Sequence, residues 1–430
     1  MTKITEKNPN QIFSDQNFPD DWEAVFNTKL LKFPDLFRPD REAAWQLAKQ
    51  LLMPDRKDES WRWMDYRSLD FDSLDTVTNR VLSLQFQLVE LNNDESSANW
   101  NDLPNGVIVG SLKNAVKDYP ELLSCYLGRS KIASEGKFAA LASAMARKGL
   151  FIFVPENTQI DDLIKVRINL ELGDNIVWTH SIICLSSNAE ASIELDWVNN
   201  RKSGDGLHNG VLGIFLGENA RLHIDERQHF GRTSWNISHA TASLEKDAHL
   251  VWNTAVFGAK SSKNFIKADL RGKGSNAIIQ GIMYPELEQV VNVDTCQNHW
   301  ETSTTSNLLF KSVAANHGSS IWHGMIHVDP LAQQTDAYQT NNNLILDDSA
   351  DVKSIPGLEI QADDVKCSHG ATVGRIDDEE LYYLKARGIS EKEAQKLIIQ
   401  GFFNQVIESF KLESTRESLR EMIVEKMERF

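Results

Sequence analysis

The chain has 430 residues, 41% of them hydrophobic and 25% charged, ample for a folded core and too long for one ordinary domain unless a repeat spreads that core along an axis. A formal charge of −16 excludes non-specific nucleic-acid binding and attraction to anionic membrane surfaces, so the expected partners are proteins, with no nucleic acid and no membrane. The start is polar, no run of about eighteen apolar residues offers a span, and Cys125, Cys184, Cys296 and Cys367 form no C-x-x-C pair; a reducing, cytoplasmic setting is expected.

Residues 1–18 are polar and aperiodic and read as a mobile arm. From Asp20 to Met53 apolar residues fall at helical spacing, with Pro39 and Asp40 at a helix start, which predicts two helices. Trp61, Trp63 and Tyr66 are expected to pack that layer. Leu82, Leu84, Phe86 and Leu88 alternate with polar residues as in a strand, followed by a polar loop over 92–100. The alanine-rich run Lys137 to Lys148 predicts a helix ended by Gly149, and Leu150 to Val154 a strand.

From about residue 165 the chain becomes a series of short β-rich runs broken by Gly, Asn and Asp. A small residue at a polar corner before an alternating strand recurs at Ala189, Ala220, Ala248 and Ala277, spaced by 31, 28 and 29, and again at Ser320 and Ala350. Near-constant spacing without helical periodicity predicts a solenoid of stacked coils. The fold class is therefore mainly β: a right-handed parallel β-helix core with helical N-terminal and C-terminal regions, divided as 1–150, 151–376 and 377–430. An antiparallel sandwich is the alternative.

After Arg375, Asp377 with Glu380, Ser390 with Glu393 and Ser414 with Glu417 read as three capping boxes, hence three helices. In the second, Ala394, Leu397, Ile398, Phe402, Val406, Ile407 and Phe410 form an apolar stripe widened by Ile399 and Phe403, suited to capping the open end of the solenoid, to docking a partner, or to both. His317, His323 and His327 would share one face of a strand, with surface histidines the default over a metal site. There is no G-x-x-x-x-G-K-[ST], no strand-associated G-x-G-x-x-G and no G-x-S-x-G; no catalytic residue is assigned, and any nucleotide hydrolysis must come from another subunit.

Cys367 and His369 lie two apart in a Cys-Ser-His-Gly segment read as a tight turn on an exposed rim, between Asp363 and Asp364 on one side and Gly374 on the other. In extended chain their side chains leave one face, where thiolate and imidazole could share a metal or a proton. ADDVKCSHGATVG (362–374), with QTNNNLIL before it and RIDDEELYYLKARGIS after it, resembles the C-terminal signature of the SufD family of the SUF iron–sulfur cluster assembly machinery. Weaker similarity runs back through ESWRWMDYRSLDF and FAALASAMARKGLFIFVP. Gly370 stands where the paralogous SufB family has glutamate, and Asn341 to Asn343 where it bears cysteine.

The resemblance implies a non-enzymatic scaffold subunit that pairs with a SufB-like paralogue through their β-helices and docks a SufC-like ATPase through its C-terminal helices. Leu397, Ile398, Phe402, Phe403 and Val406 are the expected ATPase contacts. Cys367 and His369 would handle iron or a nascent cluster at the subunit interface, as metal ligands shared with the partner. No cofactor is expected to be firmly bound by this chain alone, and a homodimer is possible in isolation. The competing class is a cytosolic β-helix carbohydrate-active enzyme, which needs paired carboxylates on adjacent coils.

Overall fold

A computed structural model describes residues 21–31, 35–69, 71, 74, 82–89, 103–127, 131–199 and 204–429; the expected arm over 1–18 and the loop over 92–100 fall outside them. The β-structure opens with β1 (Leu82–Val89), β2 (Ile108–Ser111), β3 (Leu150–Val154) and β4 (Gln159–Leu170). It continues through β5 (Ile176–Leu185), β6 (Glu190–Asn199), β7 (Leu207–Leu216), β8 (Arg221–Phe230), β9 (Trp235–Leu244), β10 (His249–Gly258), β11 (Ser261–Leu270) and β12 (Asn276–Met283). The last six strands are β13 (Val290–His299), β14 (Thr305–Ala314), β15 (Ser319–Val328), β16 (Asp336–Ile345), β17 (Asp351–Ile360) and β18 (Lys366–Gly374).

From β3 onward successive strands alternate between two nine-stranded sheets, so each coil gives one strand to each and pairs in parallel with the coils on either side. At about 4.8 Å per strand the stack is about 38 Å long. Strand β1 lies antiparallel on β4 and β2 antiparallel on β3, covering the first coil. The alternation expected over 82–88 is thus a strand that belongs to the solenoid.

In-register stacking turns the period-2 pattern of each strand into columns. Ile193, Ile224, Trp252, Ile279 and Leu308 form one inward column, buried in a single apolar cluster. The corner before each even-numbered strand from β4 to β16 has a residue with positive φ, supplied by Asn157, Asn188, Asn219, Asp247, Gly274, Ser303 and Gln334. Asn188 donates to Asn157 (2.9 Å) and Asn219 to Asn188 (3.0 Å), so the corner carries an amide ladder. From β6 onward the next residue is small and fully buried: Ala189, Ala220, Ala248, then Ser275, Thr304 and Thr335.

The repeat therefore departs from the expected one after Ala248. Ala277 lies inside β12 opposite Leu250, two residues beyond the corner held by Ser275. Ser320 lies in β15 of the other sheet, and Ala350 in the turn before β17. Hydroxyl residues replace alanine at later corners, and a small-residue search slips to neighbouring positions.

Each outer sheet face carries a helical layer. On the odd-numbered sheet lie α1 (Asp21–Leu30), α2 (Arg38–Gln50) and α5 (Lys137–Met145), with Trp22, Phe26, Trp45, Trp61, Tyr66 and Phe138 packed against Trp178, Leu207, Trp235 and Ile237. Between α2 and α5 come α3 (Leu112–Asp118) and α4 (Pro120–Leu127), which pack with Phe37 on Phe151, Ile182 and Cys184. Trp63 is the exception among the expected aromatic packers, being exposed with the Lys353 ammonium over its ring at 4.6 Å. Helix α5 stops at Met145, short of Lys148 and of Gly149.

On the even-numbered sheet lie α7 (Glu391–Ile407) and α8 (Glu413–Glu428), with Ile399, Phe403, Val406, Ile407, Phe410, Leu419 and Ile423 buried against Phe257, Ile282, Tyr284 and Val313. Polar contacts pin them: Asp225 accepts from the Lys411 amide (2.8 Å), Glu194 from Thr415 (2.5 Å), and Glu286 from Arg429 (2.7 Å). The C-terminal layer thus covers a sheet face; the expectation that it caps the end of the solenoid is corrected. Asp377 and Ser390 cap α6 (Asp378–Ala386) and α7 as expected. The third box does not form, because α8 begins at Glu413 with Leu412 as N-cap and no side-chain cap.

Two predictions follow from this packing. Ala220→Leu and Ala248→Leu place extra carbons in a closed corner and should each destabilise by about 1–3 kcal/mol, whereas Ala350→Leu, half-exposed, should cost little; thermal melting of the three variants checks this. The second concerns acid. Burial holds His208 and His299 inside the solenoid at about 4, and His180 and His239 beneath the N-terminal layer at about 3. Below the unfolded-state value of about 6.5 the unfolded chain takes up protons that the native chain refuses, so the stability present above that pH falls as pH drops toward 4, by about 2 kcal/mol per histidine at pH 5. Urea midpoints at pH 7.5 and pH 5 should differ accordingly, and the difference should shrink in His208→Gln.

Candidate functional site

Among the described residues nothing covers the C-terminal end of the solenoid: there β17 hydrogen-bonds only to β15, and β18 only to β16. Both last strands therefore leave a row of backbone donors and acceptors unpaired by any described strand. The Cys-Ser-His-Gly segment lies inside β18 and is extended; the expected tight turn is corrected, and Asp363 and Asp364 sit in the turn before the strand.

Register puts Cys367 beside Ala337 and His369 beside Gln339, which continue the inward columns of Ser306 and Leu308. The two side chains therefore face the solenoid interior, Cys367 half-buried against Ala337, Ala362 and Ile326, and His369 exposed. Residues in this position on earlier coils are buried by the coil that follows. Leu358 and Ile360 of β17 and Val373 of β18 also point inward by register and are exposed for the same reason. The open end is consequently a mouth with an apolar rim and a thiol and an imidazole on one wall.

Behind it the interior turns polar. The column that runs Trp252, Ile279, Leu308 ends in Gln339 and His369, and the adjacent inward residues Asn341 and Asn343 are buried. Gln339 donates to the Gly357 carbonyl (3.0 Å), and Asn343 donates to Asn341 (2.7 Å) and to the Thr372 carbonyl (2.9 Å) while accepting from Ser312 (2.5 Å). These buried amides hold β16 to the strands of the last coil. Sequence reading passed over them, although the alternation in QTNNN was a signal that Gln339, Asn341 and Asn343 share one face.

Burial pushes the Cys367 thiol above its ordinary range, opposed by a backbone hydrogen bond from Ala337. Thiolate and imidazole are ordinary donors to iron, but two side chains fall short of a closed coordination set. Among the described residues no group of three His, Cys, Asp or Glu side chains is placed to hold a metal ion. His323 and His327 do share the outer face of β15, each beside a carboxylate (Asp294 at 3.8 Å, Glu359 at 3.4 Å); His317 lies in the preceding turn with positive φ, away from the expected shared face.

The five C-terminal residues marked for ATPase docking divide. Phe403 and Val406 are fully buried against the sheet, Ile398 and Phe402 are half-buried with the Phe402 ring under the Lys311 ammonium (5.0 Å), and Leu397 is 43% exposed. Their helical spacing placed them on one wide stripe; packing on β12 and β14 claims the inner part of it. Helix α6, by contrast, buries no residue, and its Tyr382 and Tyr383 are 74% and 55% exposed. These tyrosines were not singled out from the sequence, since Leu381, Tyr382, Tyr383 and Leu384 form one short apolar run with no helical stripe to separate an exposed face from a buried one.

The chain matches two family models, that of the SUF-system FeS cluster assembly SufBD core domain over residues 168–402 and that of the SufBD protein N-terminal region over residues 66–166. Similar proteins include an iron–sulfur cluster assembly SufBD family protein of Synechocystis, 25% identical over 408 residues and 89% of each chain. The iron–sulfur cluster assembly protein SufD of Escherichia coli is 27% identical over 388 residues, 87% of this chain and 90% of that one. SufD of Bacillus subtilis is 25% identical over 325 residues, 75% and 74% of the two chains.

Because neither Cys367 nor His369 closes a core in the isolated chain, Cys367→Ser and His369→Ala should each change stability by no more than about 0.5 kcal/mol. Phe403→Ser, at a fully buried position of α7, should cost about 3–5 kcal/mol. Denaturant titration of the three variants distinguishes the two settings.

Proposed function

Since the chain belongs to the SufBD family of the SUF iron–sulfur cluster assembly system, we propose that it is a non-catalytic scaffold subunit of the SufD kind. In this reading it pairs with a SufB-like paralogue through the open end of its solenoid and docks a SufC-like ATPase through α6 and the exposed side of α7. The observation that carries the proposal is the uncovered last coil. Two free strand edges, exposed inward-facing apolar residues and a polar floor form a surface that a second solenoid end would complete.

Cys367 and His369 then lie at the junction of the two subunits, where the partner's side chains supply the ligands this chain lacks. The iron or nascent cluster is cargo: the thiolate offers a soft donor, and the imidazole a second, borderline donor. The carbohydrate-active reading needs free paired carboxylates along a groove. Glu194 and Asp225 on the outer face of the even-numbered sheet are instead buried and engaged by Lys165, Arg227, Thr415 and the Lys411 amide beneath the C-terminal layer. That observation favours the scaffold.

In the complex purified after co-expression with both partners, Cys367→Ser and His369→Ala should lower the iron and sulfide retained without loss of assembly, with His369→Ala the more costly. A double variant no worse than His369→Ala indicates one shared site; normal loading of both single variants would show that the pair is structural. Docking has its own test. Leu397→Asp combined with Tyr382→Asp should weaken capture of the ATPase at least about tenfold, or about 1.4 kcal/mol, while leaving the melting temperature unchanged. Unaltered capture would place the ATPase contact elsewhere.

A further inference from the structure

Inside the solenoid, between its two sheets, lies a chamber of about 20 Å³, room for one particle of about water's size. The inward residues around it are the ones that stay incompletely covered. Leu212, Ala240 and Ile266 stack in register on the inner face of the odd-numbered sheet and keep 4%, 8% and 4% of their surface, whereas the next inward column, Ile214, Ala242 and Ala268, keeps none. Glu226 and Gln228 lie two and four residues beyond the inward Ile224 on β8, line the same space, and keep 5% and 6%. Five strand steps, about 24 Å at the usual spacing, separate β8 from β18, so the chamber is remote from Cys367 and His369.

Its polar wall consists of acceptors whose protons are already committed. The Ser238 hydroxyl, half-buried and part of the lining, donates to Asn264 (2.7 Å). Gln228 donates to one Glu226 oxygen (3.3 Å), and Trp252 Nε1 donates to the other (3.3 Å). Gln228 Oε1 in turn accepts from Asn236 (3.2 Å). His208 has both ring nitrogens engaged, by Asn236 and Thr179 (2.8 Å each), and burial holds it neutral, at about 4, so it does not repel a cation. Trp197 Nε1 has no partner but presents almost no surface to the chamber. A carboxylate has about four acceptor positions, of which two are filled here. Among the described residues no Lys, Arg or His side chain pairs with Glu226, and no neighbouring charge offsets its burial. A buried carboxylate without a counter-charge is costly; water would fill its lone pairs and leave that charge in place.

We propose that this chamber binds one unhydrated monovalent cation of about water's size, of the class of potassium and ammonium, with the Glu226 carboxylate as its counter-charge and Gln228 Oε1 and Ser238 Oγ as neutral donors. A single carboxylate matches a single positive charge. Magnesium and calcium fit poorly, because the first keeps several waters and the second takes six to eight oxygen ligands.

The test is equilibrium urea unfolding of the full-length chain at pH 8, with potassium chloride replacing N-methylglucamine chloride at constant ionic strength. Unfolding and refolding in each salt give the ion access to a closed interior, and an ion bound only by the native state raises its stability. The midpoint should rise with potassium, and once the site is saturated each tenfold increase should add the same increment, about 1.4 kcal/mol. Glu226→Gln keeps the shape and removes the charge, so its midpoint should be the same in both salts. Ala240→Val fills the chamber from its apolar wall while retaining Glu226, and should lose most of the potassium dependence. The proposal is overturned if the native midpoint is identical in the two salts, the outcome if a proton neutralises Glu226 instead, or if either variant that folds keeps the native dependence.

Discussion

Parallel pairing between coils is the constraint on which the rest of this molecule depends. Each strand obtains its hydrogen bonds from the coil before it and the coil after it, and each inward side chain is covered by its counterpart one coil on. The arrangement has no natural end. The first coil is closed by the antiparallel strands β1 and β2; the last coil, β17 and β18, has no such cover among the described residues. A backbone row without partners and inward columns without a lid are physical reasons for this end to associate.

The same stacking explains why both outer faces are occupied. A coil with two strands buries one face of each sheet inside and leaves the other outside, where Trp178, Leu207, Trp235, Phe257 and Ile282 would otherwise be wet. The chain covers one outer face with helices that precede the solenoid and the other with helices that follow it. Ion pairs such as Lys263 with Asp294 (2.5 Å) and Glu286 with Lys426 (3.4 Å) lie buried under these layers. Desolvation lowers the pKa of both lysines, Lys426 to about 8. Buried pairs of this kind add less stability than their count suggests; their value here is in fixing where each layer sits.

Interior polarity varies along the axis. Mid-stack columns are aliphatic and aromatic, whereas near the mouth Gln297, His299, Gln339, Asn341 and Asn343 are buried and hydrogen-bonded. A polar floor costs stability unless its groups are paired. It also keeps the neighbourhood of Cys367 and His369 suited to donors and acceptors rather than to hydrocarbon.

What could be read from the sequence were properties set by near neighbours. Alternation in each run specified strands, the recurrent small corner residue specified coils, and Asp377 and Ser390 specified helix starts, because all of these act within a few residues. The same-face relation of Cys367 and His369 was equally legible, since a two-residue spacing in extended chain fixes it. Three things needed the tertiary structure. They are the membership of Cys367 and His369 in an edge strand, the split between buried Phe403 and exposed Leu397, and the corner role of Ser275 in place of Ala277. Each depends on which segment, far away in sequence, lies against the residue, and local periodicity carries no information about that neighbour.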